Sequence, residues 1–364
     1  MTALYAYNPN RIVLEETPDV VLWKKLYKAI NANISFIDRT GFIQLPIKTA
    51  TPDNLLLPKF NPAFNLTYTD CCQKQVRSLL DKQAKLDKPI RIMYSGGIDS
   101  SIVLTSFINE IGLDECAKRI ELVMSTVSID ENPAMWEKVL RRSKIKLINS
   151  LEFNQSVSPD YLLVAGEFND QLFGSAMIKP LLKWKPASEL LKPRSLDMLV
   201  DYFLWIGLDQ KESEHWGNLL HSLAENAENE IYSTWDVFWW LNFTCKWSSV
   251  YFRFLMFNPQ QFISKEYLEN HYTQFFGTEE FQQWSMNDTS HKHQGTWDTY
   301  KWYPRKLVSE FLEDDVYMKK VKRGSLYHVV RARQSNDAMD SNYQFIDLPQ
   351  ADIYQKSNSF SRVL

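Results

Sequence analysis

The sequence predicts an α/β fold: a parallel sheet with helices on both faces, followed by a mainly helical part. Three observations carry this reading. Short apolar runs at Ile90–Tyr94, Ile120–Thr126, Ile145–Ile148 and Tyr161–Ala165 alternate with helix-patterned stretches, the spacing of right-handed β-α-β crossovers. Two of those runs end in glycine-containing turns that lead straight into helical pattern. From about residue 176 strand signals fade, and helical periodicity takes over from Leu196 to about Phe311.

Taken in order, residues 1–66 read as a short mixed leader, with a helix over Val20–Ile30 and a strand over Gly41–Pro46. Thr67-x-x-Asp70 has the form of a capping box, and Cys72, Val76, Leu79 and Leu80 behind it make one apolar stripe of a helix. The first core strand, its glycine turn and a helix over Ser101–Ile111 follow, with Gly112 as a C-terminal stop. Asn132-Pro133 opens another helix, because asparagine caps well and proline suits the first turn. The expected organisation is an α/β core over 67–185, a helical part over 186–333, and a polar tail over 334–364.

Composition fits a folded enzyme and narrows its class. The chain has 364 residues, 45% hydrophobic and 23% charged, enough for one large or two ordinary domains with sizeable cores. A net charge of −3 gives no overall attraction to nucleic acid or to an anionic membrane. Aromatic residues reach 14%, with 12 tryptophans, which suggests either a densely packed helical part or a pocket for a ring-shaped ligand. Val237–Phe257 is the most membrane-like run, yet it contains Asn242, Lys246 and Arg253, so a buried helix is the expectation. Cys71, Cys72, Cys116 and Cys245 lack metal-ligand spacing and point to a reducing compartment; with no secretory leader legible, a cytoplasmic location is expected. His291 and His293 sit in a polar stretch without further ligands nearby and read as solvated loop residues.

The chemistry concentrates in two segments. Ser95-Gly96-Gly97-Ile98-Asp99-Ser100 lies between a strand and a helix start. Adjacent glycines let backbone approach an anion, and serine hydroxyls with the helix N-terminal N–H groups supply donors. There is no Walker-type lysine, and Asp99 stands where a metal ligand is useful; a carboxylate beside polyphosphate calls for Mg²⁺ between them. As an ordinary turn the segment would need none of this, but so many specified residues in the required strand–helix context favour a phosphate loop. The second segment, Gly166-Glu167-Phe168-Asn169-Asp170-Gln171-Leu172-Phe173-Gly174-Ser175, follows the apolar run Tyr161–Ala165. It puts two carboxylates at the carboxyl end of a strand, where open α/β sheets bind ligands. The chain has only 11 glycines, and Gly96, Gly97, Gly166 and Gly174 fall in these segments. Close backbone approach is the expected reason.

The first segment resembles the SGGxDS signature of the PP-loop ATP pyrophosphatases. The second resembles the GEGSDELFGG segment of asparagine synthetases, β-lactam synthetases and lasso-peptide cyclases. The resemblance covers roughly residues 67–330 and implies an adenine-nucleotide α-hydrolase-like, Rossmann-like core using ATP and Mg²⁺. It implies that Ser95, Gly96, Gly97, Asp99, Ser100 and Gly166 bind nucleotide, that Met124 and Ser125 lie near adenine, and that Asp99 and Asp170 hold the metal. Glu167 matches the family's catalytic glutamate. Lys301, four residues before Arg305, matches the lysine that stabilises the acyl-adenylate and departing pyrophosphate, and Lys322 in a basic turn matches a phosphate contact. The activity implied is adenylation of a carboxylate and its transfer to an amine or ammonia.

The departures are informative as well. Phe168-Asn169 stands where the family has Gly-Ser, and Gln171 replaces a glutamate, so the acyl substrate need not be aspartate. The aromatic ring must either fill part of the pocket or pack beneath it. Fewer than 100 residues precede the phosphate loop and the chain begins Met1-Thr2, which leaves no place for an in-chain glutaminase of roughly two hundred residues. The amine is then free ammonia, a substrate amine, or ammonia from a separate glutaminase partner. Two other readings stand beside the ligase. One is a nucleobase-modifying enzyme with a nucleic-acid-linked substrate held by the basic, aromatic stretches Lys179–Arg194 and Lys301–Arg333. The other is a non-catalytic nucleotide-binding subunit.

Overall fold

Five strands form one all-parallel sheet: β1 (Ile90–Met93), β2 (Ile120–Met124), β3 (Lys146–Asn149), β4 (Leu162–Ala165) and β5 (Tyr272–Gln274), in the order β3-β2-β1-β4-β5. The computed structural model describes residues 3–4, 14–30, 32, 35–47, 55–150, 158–253, 265–294, 296, 300–319 and 351–352. β1 is central; Ile90 pairs with Ile120 on one side and with Leu162 on the other. Every residue of β2 and β4 is buried, as expected of strands covered on both faces. The chain runs outward from β1 through β2 to β3, then returns to the opposite side of β1 with β4. The reversal of strand order therefore falls between β1 and β4, and the two glycine-containing segments emerge there side by side. Ligands of open α/β sheets bind at such a crevice.

The helices follow from local signals. Thr67 and Asp70 form the capping box of Tyr68–Leu86, each side chain accepting from the other's backbone N–H. The buried stripe includes Cys72, Val76 and Leu79. Asn132 caps Pro133–Lys138 through Met135 N, 3.1 Å away. The helix after the first glycine turn starts at Ile98, earlier than the pattern suggested, which puts Asp99 and Ser100 in its first turn. Gly112 does not end it. The residue adopts φ +77° as a kink, and helix resumes to Arg119.

Two further expectations are corrected. Residues 41–46 form no strand; the Asp38 carboxylate accepts from Thr40 N (2.9 Å), the Thr40 hydroxyl (2.8 Å) and Ile43 N (2.7 Å), which winds the segment into turns instead. β5 lies deep in the stretch read as helical, so the sheet extends beyond residue 185. Its three residues show no usable alternation, and their strand state comes from pairing with β4 (Leu163 with Tyr272, Ala165 with Gln274).

The aromatic content packs the interior of the helical part. All 12 residues of Thr234–Cys245 are buried. Trp239 stacks on Phe243 with centroids 5.0 Å apart, and Tyr202 meets Phe238 edge-on at 4.6 Å. Among the described residues no helix is long and apolar enough to cross a membrane.

Candidate active site

The turn after β1 is held by its own side chains. Ser95 N donates to Ser100 Oγ (3.1 Å), the two serine hydroxyls lie 3.1 Å apart, and Ser101 Oγ donates to Gly96 O (3.3 Å). Asn132 braces it from behind by donating to Ser101 Oγ at 3.2 Å. Gly97 is the N-cap of Ile98–Arg119 and supplies no side-chain acceptor to the first turn. The N-terminal N–H groups are left without intrahelical partners at the mouth of a cleft, a ready anion site.

The close backbone approach expected at these glycines is present, and the neighbour approached differs from one to the next. Gly96 has φ +75°, and a Cβ there would lie 2.2 Å from Ser128 O and 2.9 Å from Glu131 Cβ. It is glycine because the helix Thr126–Glu131 crosses directly over it. Gly166 faces Asp99 and Val103, with an added Cβ 3.3 Å from Asp99 O, so it lets the two segments touch. Gly174, at φ +66°, admits Trp239. Only Gly97 of the four is crowded by nothing but the loop itself, namely Ser95 Oγ at 3.3 Å.

The segment after β4 brings its residues to the same place. Trp239 Nε1 and Ser285 Oγ both donate to Leu172 O, at 2.9 and 2.7 Å, and Asn242 donates to Gln171 Oε1 at 3.0 Å. These bonds pin the segment to the helical part. Phe168 packs beneath the site, buried, with its ring 4.3 Å from Trp247. Asn169 is fully buried and connects two elements: it accepts from the Tyr68 hydroxyl (2.9 Å) and donates to Asp99 Oδ1 (2.7 Å).

Lys301 completes the arrangement. It is the N-cap of the helix Trp302–Leu312, with φ 61° and ψ 38°, a conformation few non-glycine residues adopt. Its Nζ lies 2.7 Å from Asp99 Oδ1 and 2.5 Å from Asp170 Oδ1, with the side chain 1% exposed. Ser175 Oγ donates to the same Asp170 oxygen at 2.8 Å. Burial opposes the Lys301 ammonium, but the Asp170 and Asp99 carboxylates outweigh it and hold the lysine above its usual range. Burial raises the Asp99 carboxyl, and Lys301 pulls it back. Ser95, Gly97, Ile98, Asp99, Glu131, Asp170, Lys179, Tyr300, Lys301, Arg305 and Tyr317 line the cleft.

The expected residues therefore converge only in part. Ser95, Gly97, Asp99, Asp170 and Lys301 line one cleft, and Ser100 supports it from the first turn. Met124 is buried in the core at the end of β2 and does not line that cleft. Glu167 does not line it either; its carboxylate lies 3.3 Å from Arg253 Nη1, and its backbone N donates to Gln274 Oε1. Lys322 falls outside the described residues. Sequence reasoning missed Glu131, Tyr300 and Tyr317, which lack any motif of their own. It also missed the Tyr68–Asn169 link, whose partners lie 101 positions apart.

Lys246 is a buried cation near this site. Burial, reinforced by Arg253 and opposed by Asp170, lowers it to about 7. The unfolded chain holds a proton there that the folded one sheds between pH 7 and the ordinary lysine value, so this group makes stability rise with pH through that window. Lys246→Met should then stabilise the fold by on the order of 2–4 kcal/mol near pH 6, and by much less above pH 10. Denaturant midpoints at the two pH values check this.

Other reactive types are engaged structurally. His293 is not a solvated loop residue: its Nε2 lies 2.6 Å from the buried Asp236 Oδ1, and Asp236 also accepts from Ser233 Oγ. His291 Nδ1 lies 2.6 Å from Asp288 Oδ2. All four cysteines are buried and unpaired, and burial pushes Cys71 and Cys116 up to about 12, far from thiolate chemistry at neutral pH.

No protein-family model matches the chain, and no curated protein matches it significantly.

Proposed function

We propose that the protein is an ATP-dependent ligase of the asparagine-synthetase type, with an adenine-nucleotide α-hydrolase-like, Rossmann-like core. It would adenylate a carboxylate and pass the acyl group to an amine or ammonia, releasing AMP and pyrophosphate. The observation that carries this reading is the meeting of the Ser95–Ser100 loop and the Asp170 segment at the strand-order reversal, with Lys301 bridging Asp99 and Asp170.

The residues present fit a magnesium ion as well as a nucleotide. Asp99 and Asp170 already share one cation, and both offer hard oxygen donors. Among the described residues no group of three or more His, Cys, Asp or Glu side chains converges. That suits Mg²⁺ in nucleotide enzymes, which takes one or two carboxylates and completes its shell with phosphates and water. When bound, it would neutralise charge on the polyphosphate.

The chain's own groups account for the remaining steps. The loop hydroxyls of Ser95 and Ser100 and the first-turn N–H groups hold the β and γ phosphates as one unit. The substrate carboxylate attacks the α-phosphorus, and pyrophosphate departs still held by that loop. Lys301 and Arg305 supply positive charge where negative charge grows, the electrostatic contribution that usually dominates. Burial raises the Tyr300 phenol despite the neighbouring Lys301, which keeps it a hydrogen-bond donor on the cleft wall. Glu167 lies outside the cleft lining, against Arg253, and the family resemblance alone would give it the orienting or deprotonation of the amine.

Separating the steps tests the assignment of Glu167. Glu167→Gln should slow amide formation by about 10²-fold while leaving carboxylate adenylation near the wild-type rate. Single-turnover assays with and without amine distinguish this from a general loss. The reaction class is tested by product analysis with a panel of carboxylates, with and without ammonium. AMP and pyrophosphate in equal amounts support the ligase; ADP and inorganic phosphate would overturn it.

A further inference from the structure

Two carboxylates suited to a divalent cation are held together in the free protein by a lysine. Asp99 Oδ1 receives both Lys301 Nζ (2.7 Å) and Asn169 Nδ2 (2.7 Å). Asp170 Oδ1 receives Lys301 Nζ (2.5 Å) and Ser175 Oγ (2.8 Å), with the Tyr300 hydroxyl 3.5 Å away. The oxygens that face each other across the site are thus already occupied by donors. An ammonium in that position and a divalent ion bound to the same oxygens would be like charges a few ångströms apart in a buried site, so one must leave before the other enters. The ammonium cannot move off alone without taking from Asp99 and Asp170 the cation they share. It needs a negative destination, and nucleotide phosphates at the adjoining loop provide one.

We propose that Lys301 is the resident cation of this site: it excludes a divalent ion from Asp99 and Asp170 until nucleotide phosphates draw the ammonium away, so that metal and nucleotide can enter only together. This inference rests on reading the cleft as a metal–nucleotide site. The consequence is order: the free protein ignores free Mg²⁺ and takes it up with ATP. Metal occupancy without nucleotide is thereby suppressed.

The test is Mn²⁺ binding followed by electron paramagnetic resonance on the full chain, first alone and then with a non-hydrolysable ATP analogue. Wild type should bind little Mn²⁺ alone and should bind it once the analogue is added. Lys301→Gln should bind Mn²⁺ alone at least about tenfold more tightly than wild type, because the competing occupant is gone. Mn²⁺ should also raise the unfolding temperature of that variant, and adding Asp170→Asn should remove both effects. Should Lys301→Gln fold only in the presence of Mn²⁺, the soluble yield with and without the ion reads out the same exchange. The wild-type arm does not depend on any variant folding. Mn²⁺ binding to wild type alone as tightly as with the analogue would overturn the lysine's role while leaving the metal site standing. So would a folded Lys301→Gln that gains no affinity. Absence of Mn²⁺ binding to wild type even with the analogue bound would instead overturn the reading of the cleft on which the proposal rests.

Discussion

Lys301→Met is expected to cut pyrophosphate formation by about 10²–10³-fold, the usual loss when one positioned charge stabiliser is removed. It should also destabilise the free protein by roughly 3–5 kcal/mol, the range seen when one partner of a buried ionic cluster is removed. Both follow from one geometry, since the side chain is 1% exposed and touches Asp99 and Asp170. The pH dependence separates them. Lys301 is held above its usual range, so its contribution in wild type is full below the ordinary lysine value and fades only at higher pH. Within the neutral to acid range the wild-type contribution of this lysine is constant. In the variant, acidification protonates one of the two carboxyls that have lost their shared cation and relieves their repulsion, so the stability deficit should shrink from pH 8 to pH 5 while activity stays low. Urea unfolding at both pH values, alongside pyrophosphate assays, checks this. An equal deficit at both would argue against a charge-based role.

Gly96→Ala carries the second large effect, and it falls on the fold rather than on the chemistry. The added methyl would stand 2.2 Å from Ser128 O, a backbone atom that cannot rotate away, at a residue with φ +75°. Left-handed backbone alone costs an L-residue about 1–2 kcal/mol. Displacing the helix Thr126–Glu131 adds more, and a total loss of at least about 3 kcal/mol is expected. Gly97→Ala is the informative contrast. Its methyl would meet only Ser95 Oγ at 3.3 Å, so the fold should tolerate it, while nucleotide binding weakens because the methyl projects into the phosphate loop. Unfolding midpoints and nucleotide titrations on both variants should give opposite patterns. Similar midpoints would show that the Thr126–Glu131 crossing is not what fixes glycine at position 96.

What the sequence made legible was local. The Thr67–Asp70 capping box, the Asn132 cap and the strand–glycine–helix order at 90–100 each depend on residues a few positions apart and are present, with the helix of the last beginning at Ile98 rather than Ser101. The fourth strand was legible because its burial on both faces demands a continuous apolar run. β5 was not, because pairing with β4 rather than composition makes Tyr272–Gln274 a strand. Site residues divide the same way. Asp99 and Asp170 announced themselves by following strands, and Lys301 was reached only through a family resemblance, since a single lysine ahead of a helix carries no pattern. The positioning of Asp99 by Asn169 and Tyr68 is a product of tertiary packing. The concentration of glycines in two segments made close backbone approach legible, but not that protein neighbours are what approach Gly96, Gly166 and Gly174. Phe168, expected either to fill part of the pocket or to pack beneath it, is buried against Trp247 and does not line the cleft.

Carboxylate-dependent exchange of labelled pyrophosphate into ATP tests the central claim most directly, because it reports reversible adenylation without requiring the amine to be known. Exchange that needs Mg²⁺ and one class of carboxylate, proceeds without amine, and is lost in Asp99→Asn is the predicted result. ATP bound with no exchange for any carboxylate, or exchange undiminished in Asp99→Asn, would contradict the account.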